Sequence, residues 1–115
     1  MPQPVGPTRP PSDAAQLFKV LGNESRLWLL RLIGDEPRTV GVLAEVTEMS
    51  QPLVSQHLRS LRQAGLAVAT RSGKEVTYEL ADVHVSHVIA DALAHVQEPA
   101  VASVAAHSLE KEQGT

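Results

Sequence analysis

The chain has 115 residues, enough for one domain and not two. Hydrophobic residues make up 43% and aromatics only 3%, so the core must be aliphatic; the absence of cysteine excludes disulfides, thiolate metal sites and cysteine nucleophiles together. The formal net charge of −3 argues only weakly against a nucleic-acid partner, because a local basic patch suffices to contact phosphate.

Residues 1–11 are rich in proline and read as a flexible arm without the apolar run of a signal peptide. No stretch approaches the ~20 apolar residues of a membrane span, and a cytoplasmic location is expected. Ser12 is expected to cap a first helix beginning at Asp13, with Leu17, Phe18, Val20 and Leu21 on its apolar face and Gly22 at its end. Asn23 starts a second helix, in which Leu27, Leu30 and Ile33 recur at helical spacing until Gly34 and Pro37 close it.

Thr39 is placed to cap a short third helix over Val40–Val46, followed by the turn Thr47-Glu48-Met49. Ser50 then caps a fourth helix that tolerates Pro52 in its first turn. Leu53, Leu58 and Leu61 are expected on its inner side, and Gly65 stops it. The period then changes from helical to alternating: Val76, Tyr78 and Leu80 point one way, Glu75, Thr77 and Glu79 the other. Leu66–Thr70 is the partner strand, and Arg71-Ser72-Gly73-Lys74 the turn between them. Asp82 caps a fifth helix running to about Gln97, before Pro99.

The fold class is therefore mostly α with a small β-hairpin. A short helix, a tight turn and a polar-faced helix make a helix-turn-helix, and the basic hairpin after it is a wing. The winged helix-turn-helix domain spans residues 12–98, with 99–115 a partly flexible extension.

The fourth helix begins at the Ser50 cap and carries Gln51, Ser55, Gln56, His57 and Arg59 on its polar side. Gln pairs with adenine edges, Arg with guanine, and Ser or His with phosphate or base. Between Gln56 and Glu75, Arg59, Arg62, Arg71 and Lys74 stand against the single acid Glu75. A solvated amphipathic helix is the plainer reading of such a face taken alone. The preceding turn and the following basic hairpin, with Arg71 and Lys74 at its tip, favour double-stranded operator DNA.

Three segments carry a more specific resemblance. Leu17-Phe18-Lys19-Val20-Leu21-Gly22-Asn23-Glu24-Ser25-Arg26-Leu27 is similar to the opening signature of the ArsR/SmtB family of metal-responsive winged-helix repressors. So are Ser50-Gln51-Pro52-Leu53-Val54-Ser55-Gln56-His57-Leu58 and Leu61-Arg62-Gln63-Ala64-Gly65-Leu66. The resemblance covers about residues 14–98. It implies a homodimer paired through the first and last helices, with Ser55 and His57 facing the groove, that releases DNA on binding metal.

The fifth helix carries Asp82, His84, His87, His95 and, at its end, Glu98. His84 and His95 share a face but stand ~16 Å apart along the axis, too far for one ion in one chain. Two antiparallel helices across a two-fold axis would bring Asp82 and His84 of one subunit to His95 and Glu98 of the other, giving two equivalent sites. Four N/O ligands suit tetrahedral Zn(II), with Co(II) able to substitute. The pattern resembles the family's interhelical zinc site at all four positions, and that resemblance implies the ligand role for Asp82, His84, His95 and Glu98. Read singly, Asp82 is an N-cap, Glu98 a solvated helix end and each histidine a surface residue; the joint spacing favours metal. His87 is by default a bystander, with a hydrogen-bonding partner to a ligand or an added ligand for an octahedral ion such as Ni(II) as the alternatives, and His107 has no assigned role. A relative sensing a non-metal signal is the main rival. An enzyme is not expected: no His-Glu-x-x-His or Gly-x-Ser-x-Gly occurs, and the closed zinc set leaves no open position.

Overall fold

The computed structural model describes residues 7–97. Glu98, His107 and the extension 99–115 lie outside the described residues, as do the first six residues of the arm. The elements run α1 (Ser12–Leu21), α2 (Glu24–Asp35), β1 (Arg38–Thr39), α3 (Val40–Thr47), α4 (Gln51–Gln63), β2 (Ala67–Ser72), β3 (Glu75–Leu80) and α5 (Val83–Gln97). The chain divides into two compact units at the Ala81–Asp82 bond. The first holds the helix-turn-helix and the sheet, the second α5.

Side-chain caps set most helix starts. The Arg26 backbone N–H donates to Asn23 Oδ1 (3.0 Å), that of Val42 to Thr39 Oγ1 (3.2 Å) and that of Leu53 to Ser50 Oγ (3.3 Å), each relieving an orphan donor of a first turn. The expected Ser12 cap does not form. Ser12 lies inside α1, Pro11 holds the N-cap position, and the first turn closes through backbone bonds, Ser12 N–H to the Pro10 carbonyl (3.0 Å) and Ala15 N–H to that of Pro11 (2.9 Å).

Helix α2 stops before Pro37 as expected, but Gly34 does not end it. Gly34 lies within it, and a Cβ there would sit 3.0 Å from Leu80 Cδ1, so this glycine gives β3 room to pass. Termination falls at Glu36, whose extended backbone (φ −164°, ψ 155°) is what a residue before proline must adopt. Arg38 then folds back, its Nε donating to the Leu32 carbonyl (2.9 Å) and its guanidinium pairing with Asp35 (2.8 Å).

Helix α4 ends in a Schellman motif. Leu66 N–H donates to the Leu61 carbonyl (2.9 Å) and Gly65 N–H to that of Arg62 (3.0 Å), with Gly65 at φ +74°, where a side chain would be strained. That turn delivers the chain into β2. The sheet has three antiparallel strands in the order β1-β3-β2, one more than the expected hairpin. Thr39 pairs with Thr77, and Ser72 with Glu75. The wing turn is tighter than expected, because Arg71 and Ser72 already belong to β2. Only Gly73 and Lys74 lie between the strands, with Gly73 at φ +65° as the first residue of a type II′ turn requires.

The core of the first unit is aliphatic, as the composition demands. Leu29, Leu30, Ile33, Leu43, Val54, Leu58, Leu61 and Leu66 are essentially inaccessible to water. Leu53, expected inside, is 39% exposed; Val54 takes its place at 0%. Val54, Leu58 and Leu61 recur at i, i+4 and i+7, and Leu53 stands about 100° off that stripe.

Candidate nucleic-acid interface and metal-donor helix

The turn between α3 and α4 is fixed by Glu48 in the left-handed region (φ 63°) and by Thr47. The buried Thr47 hydroxyl donates to the Leu43 carbonyl (2.7 Å) and accepts from Met49 N–H (3.3 Å). This aims α4 with Val54, Leu58 and Leu61 inward and its N-terminal polar residues outward. Gln51, Gln56 and Arg59 are exposed, as is Ser50, whose hydroxyl already serves as the cap.

Ser55 and His57 are half-buried on opposite flanks, about 200° apart around the helix. His57 lies toward α2, where burial and then the Arg26 charge hold its imidazole below the usual value of 6.5. Arg26 itself donates to the Val20 carbonyl (3.3 Å). The exposed line of α4 is therefore Gln51, Gln56 and Arg59 rather than all five polar residues together. Arg62 extends that line, three residues after Arg59, and with it borders a groove against Ala67, Val68 and Ala69 of β2. The i, i+3 spacing of the two arginines is the sequence signal for Arg62, which the expected set of DNA-facing residues omits. Arg71 and Lys74 are exposed at the wing end of the hairpin. The surface from Gln51 through Arg59 and Arg62 to the wing is thus donor-rich and cationic, suited to base edges and phosphates.

Helix α5 is capped by Asp82, whose Oδ1 accepts from Val85 N–H (3.0 Å). Asp82, His84, His87 and His95 are all exposed. His84 and His95 stand within about 20° of each other around the helix, while three turns separate them along it. Among the described residues no three His, Asp or Glu side chains converge as a metal site within one chain. The donor set itself, imidazole with carboxylate oxygen, fits zinc chemistry. Asp91, exposed and four residues after His87, shares the histidine stripe and belongs to none of the expected ligands.

Comparison with known proteins agrees with this geometry. Residues 23–68, from the α2 cap through the recognition helix to the start of the wing, match the bacterial regulatory protein arsR family. The HTH-type transcriptional repressor SmtB of Mycobacterium tuberculosis is 38% identical over 102 residues, covering 85% of this chain and 76% of that protein. A cadmium resistance transcriptional regulatory protein CadC homolog of Staphylococcus aureus is 34% identical over 91 residues, covering 78% of this chain and 75% of the relative. Among solved structures, the homodimeric winged helix-turn-helix DNA-binding domain of Mb0332 from Mycobacterium bovis superposes with a TM-score of 0.72 at 30% identity, covering 76% of this chain and 82% of that one. Among the described residues no helix is long and apolar enough to cross a membrane. The fold, the cationic recognition surface and these relatives together place the chain in the ArsR/SmtB family of winged-helix transcriptional regulators, DNA-binding proteins rather than enzymes.

Proposed function

We propose that this regulator is a repressor that binds operator DNA as a metal-free homodimer and releases it when Zn(II) is bound between subunits on α5. Gln51, Gln56, Arg59 and Arg62 on the exposed line of α4 meet DNA, flanked by the cap Ser50 and the half-buried Ser55 and His57, with Arg71 and Lys74 from the wing. Asp82 and His84 of one subunit, with His95 and Glu98 of the other, hold the ion. The single observation that carries this reading is the arrangement on α5. Two exposed imidazoles share one face of an uninterrupted helix, yet sit too far apart to act on one ion within a chain. The homodimeric relative supports a second copy as the source of the missing ligands, and the cadmium-resistance relative supports a metal effector.

Bound there, the ion would cross-link the two helices through these imidazole and carboxylate donors. Asp82 has one oxygen committed to the cap and a second free to ligate. The imidazoles of His84 and His95 ligate through a ring nitrogen lone pair, so protons compete with the ion for these ligands. A ligand that favours one dimer geometry shifts DNA affinity to the extent that this geometry misplaces the two recognition helices. Such couplings run about 1–3 kcal/mol, a 5–150-fold loss of affinity. A six-coordinate Co(II) or Ni(II) ion is the second reading, favoured by exposed His87 one turn from His84.

The test is operator binding by fluorescence anisotropy with and without each metal, on wild type and on a mixed dimer. One subunit carries Asp82→Ala and His84→Ala, its partner His95→Ala and Glu98→Ala. That heterodimer keeps one interface with all four ligands, whereas each double-mutant homodimer keeps none. Zinc-induced operator release retained by the heterodimer and lost by both homodimers is the expected outcome. Homodimers that release operator with zinc as wild type does would exclude the intersubunit site.

A further inference from the structure

One pair of metal-ligating side chains on α5 is used by neither the cap nor the four assigned ligands. His87 and Asp91 are both exposed and lie one helical turn apart, at i and i+4. That spacing puts two side chains about 5–6 Å apart at their Cβ atoms on one face, the spacing at which a helix chelates a single ion. Around the axis, His84, His87, Asp91 and His95 fall within a stripe about 80° wide. They lie away from Val85, Ile89 and Leu93, the less exposed residues of this helix.

We propose that His87 and Asp91, with the same two residues of a second copy of this chain, form a central divalent-cation site on the dimer axis. This rests on the antiparallel α5 pairing given above, and its register follows from that pairing. If His84 meets the partner's His95, the two-fold axis passes α5 between Ile89 and Ala90. His87 and Asp91 then flank the axis, each within about 4 Å of it along the helix, while His84 and His95 stand about 8 Å away. Four donors, two imidazoles and two carboxylates, converge where only two are available in one chain. The same convergence brings two like charges toward each other, a repulsion that a cation between them would relieve. A transition ion such as Zn(II) or Co(II) matches both the N/O ligand set and the charge.

Three ions per dimer is therefore the expected stoichiometry, two outer and one central. The experiment is metal content by mass spectrometry after exhaustive equilibration with Zn(II), on wild type, His84→Gln, His87→Gln and Asp91→Asn, with circular dichroism as the folding check. All three positions are exposed, so the variants retain their fold. Asp91→Asn and His87→Gln should each fall from three ions to two and still release operator with zinc. His84→Gln should fall to one and lose release. Equal zinc content in wild type, His87→Gln and Asp91→Asn overturns the central site whatever His84→Gln shows. If His87→Gln lowers the count by two, His87 belongs to the outer sites and the central site is again overturned. A His84→Gln dimer that keeps its full zinc complement instead refutes the outer sites, and with them the register from which the central site is placed.

Discussion

Asp82 is asked to do two things, and they separate chemically. Its Oδ1 accepts from Val85 N–H at 3.0 Å, which makes it the N-cap of α5, and its carboxylate is a proposed zinc ligand. Asn caps as well as Asp, whereas Ala cannot cap and costs about 1 kcal/mol, within a range of roughly 0.5–2. Losing the negative charge at a helix N-terminus costs a further ~0.3–1 kcal/mol at an exposed site, toward the low end at physiological salt. Asp82→Asn should therefore lower apo stability by no more than ~0.5 kcal/mol, and Asp82→Ala by ~1–1.5 kcal/mol. For a domain of this size 1 kcal/mol corresponds to about 4–8 °C in Tm. Thermal unfolding by circular dichroism, at one fixed protein concentration because a dimer's Tm depends on it, should rank wild type, Asn and Ala in that order. Zinc affinity should rank differently: both variants lose the anionic ligand, so both should bind the outer sites more weakly than wild type. Equal apo Tm values for Asn and Ala would refute the cap. Wild-type zinc affinity in Asp82→Asn would refute the ligand.

Two further outcomes test the DNA-binding unit. Replacing Arg71 and Lys74 by Ala removes two exposed cations per subunit and four per dimer. The slope of log affinity against log salt should become shallower by up to about 3.6, at ~0.9 for each phosphate no longer neutralised, and an unchanged slope in an operator titration would remove the wing from the interface. His57 has its folded pKa lowered from 6.5, by burial first and the Arg26 charge second. The unfolded chain thus takes up the proton first as the solution is acidified, and the stability this group contributes is intact above pH 6.5 and lost as pH falls through the folded value. His57→Gln should flatten that part of the acid-side decline in urea midpoint; parallel wild-type and variant profiles would show that His57 is not the group responsible.

Features governed by local rules were readable in the sequence. Asn23, Thr39, Ser50 and Asp82 cap helices because each cap needs only the backbone N–H three residues on. The turn at Gly73 and the stop at Gly65 follow from a backbone conformation that glycine tolerates best. What depends on distant neighbours was not legible. Leu53 is a different kind of miss, since Val54 and not Leu53 keeps the i, i+4, i+7 spacing with Leu58 and Leu61 in the sequence itself. Gly34 resembles a helix stop in sequence, but its role is set by Leu80, which lies 46 residues later. Strand β1 has two residues, too short for any alternation to register. His57 shows the same limit at the site: its position in α4 is predictable, while its orientation toward Arg26 depends on α2. The Asp91 spacing from His87, by contrast, is visible in sequence once residues 83–97 are read as one helix.

Helix α5 separates its tasks by angle rather than by length. Val85, Ile89 and Leu93 recur at i, i+4 and i+8 and carry its less exposed side. His84, His87, Asp91 and His95 fill the opposite side, each about one helical turn from its neighbour along the stripe. On the proposed reading, packing and ligation therefore draw on different residues. Substitution of a donor leaves the apolar side intact, so loss of metal need not mean loss of fold. Truncating Ile89, at 6% exposure, acts in the reverse sense, through packing and without removing any donor. If α5 holds the proposed ions, the same separation lets the choice of ion change by exchanging one exposed side chain at a time. The recognition helix and wing, which lie in the other unit, need not be altered for such an exchange.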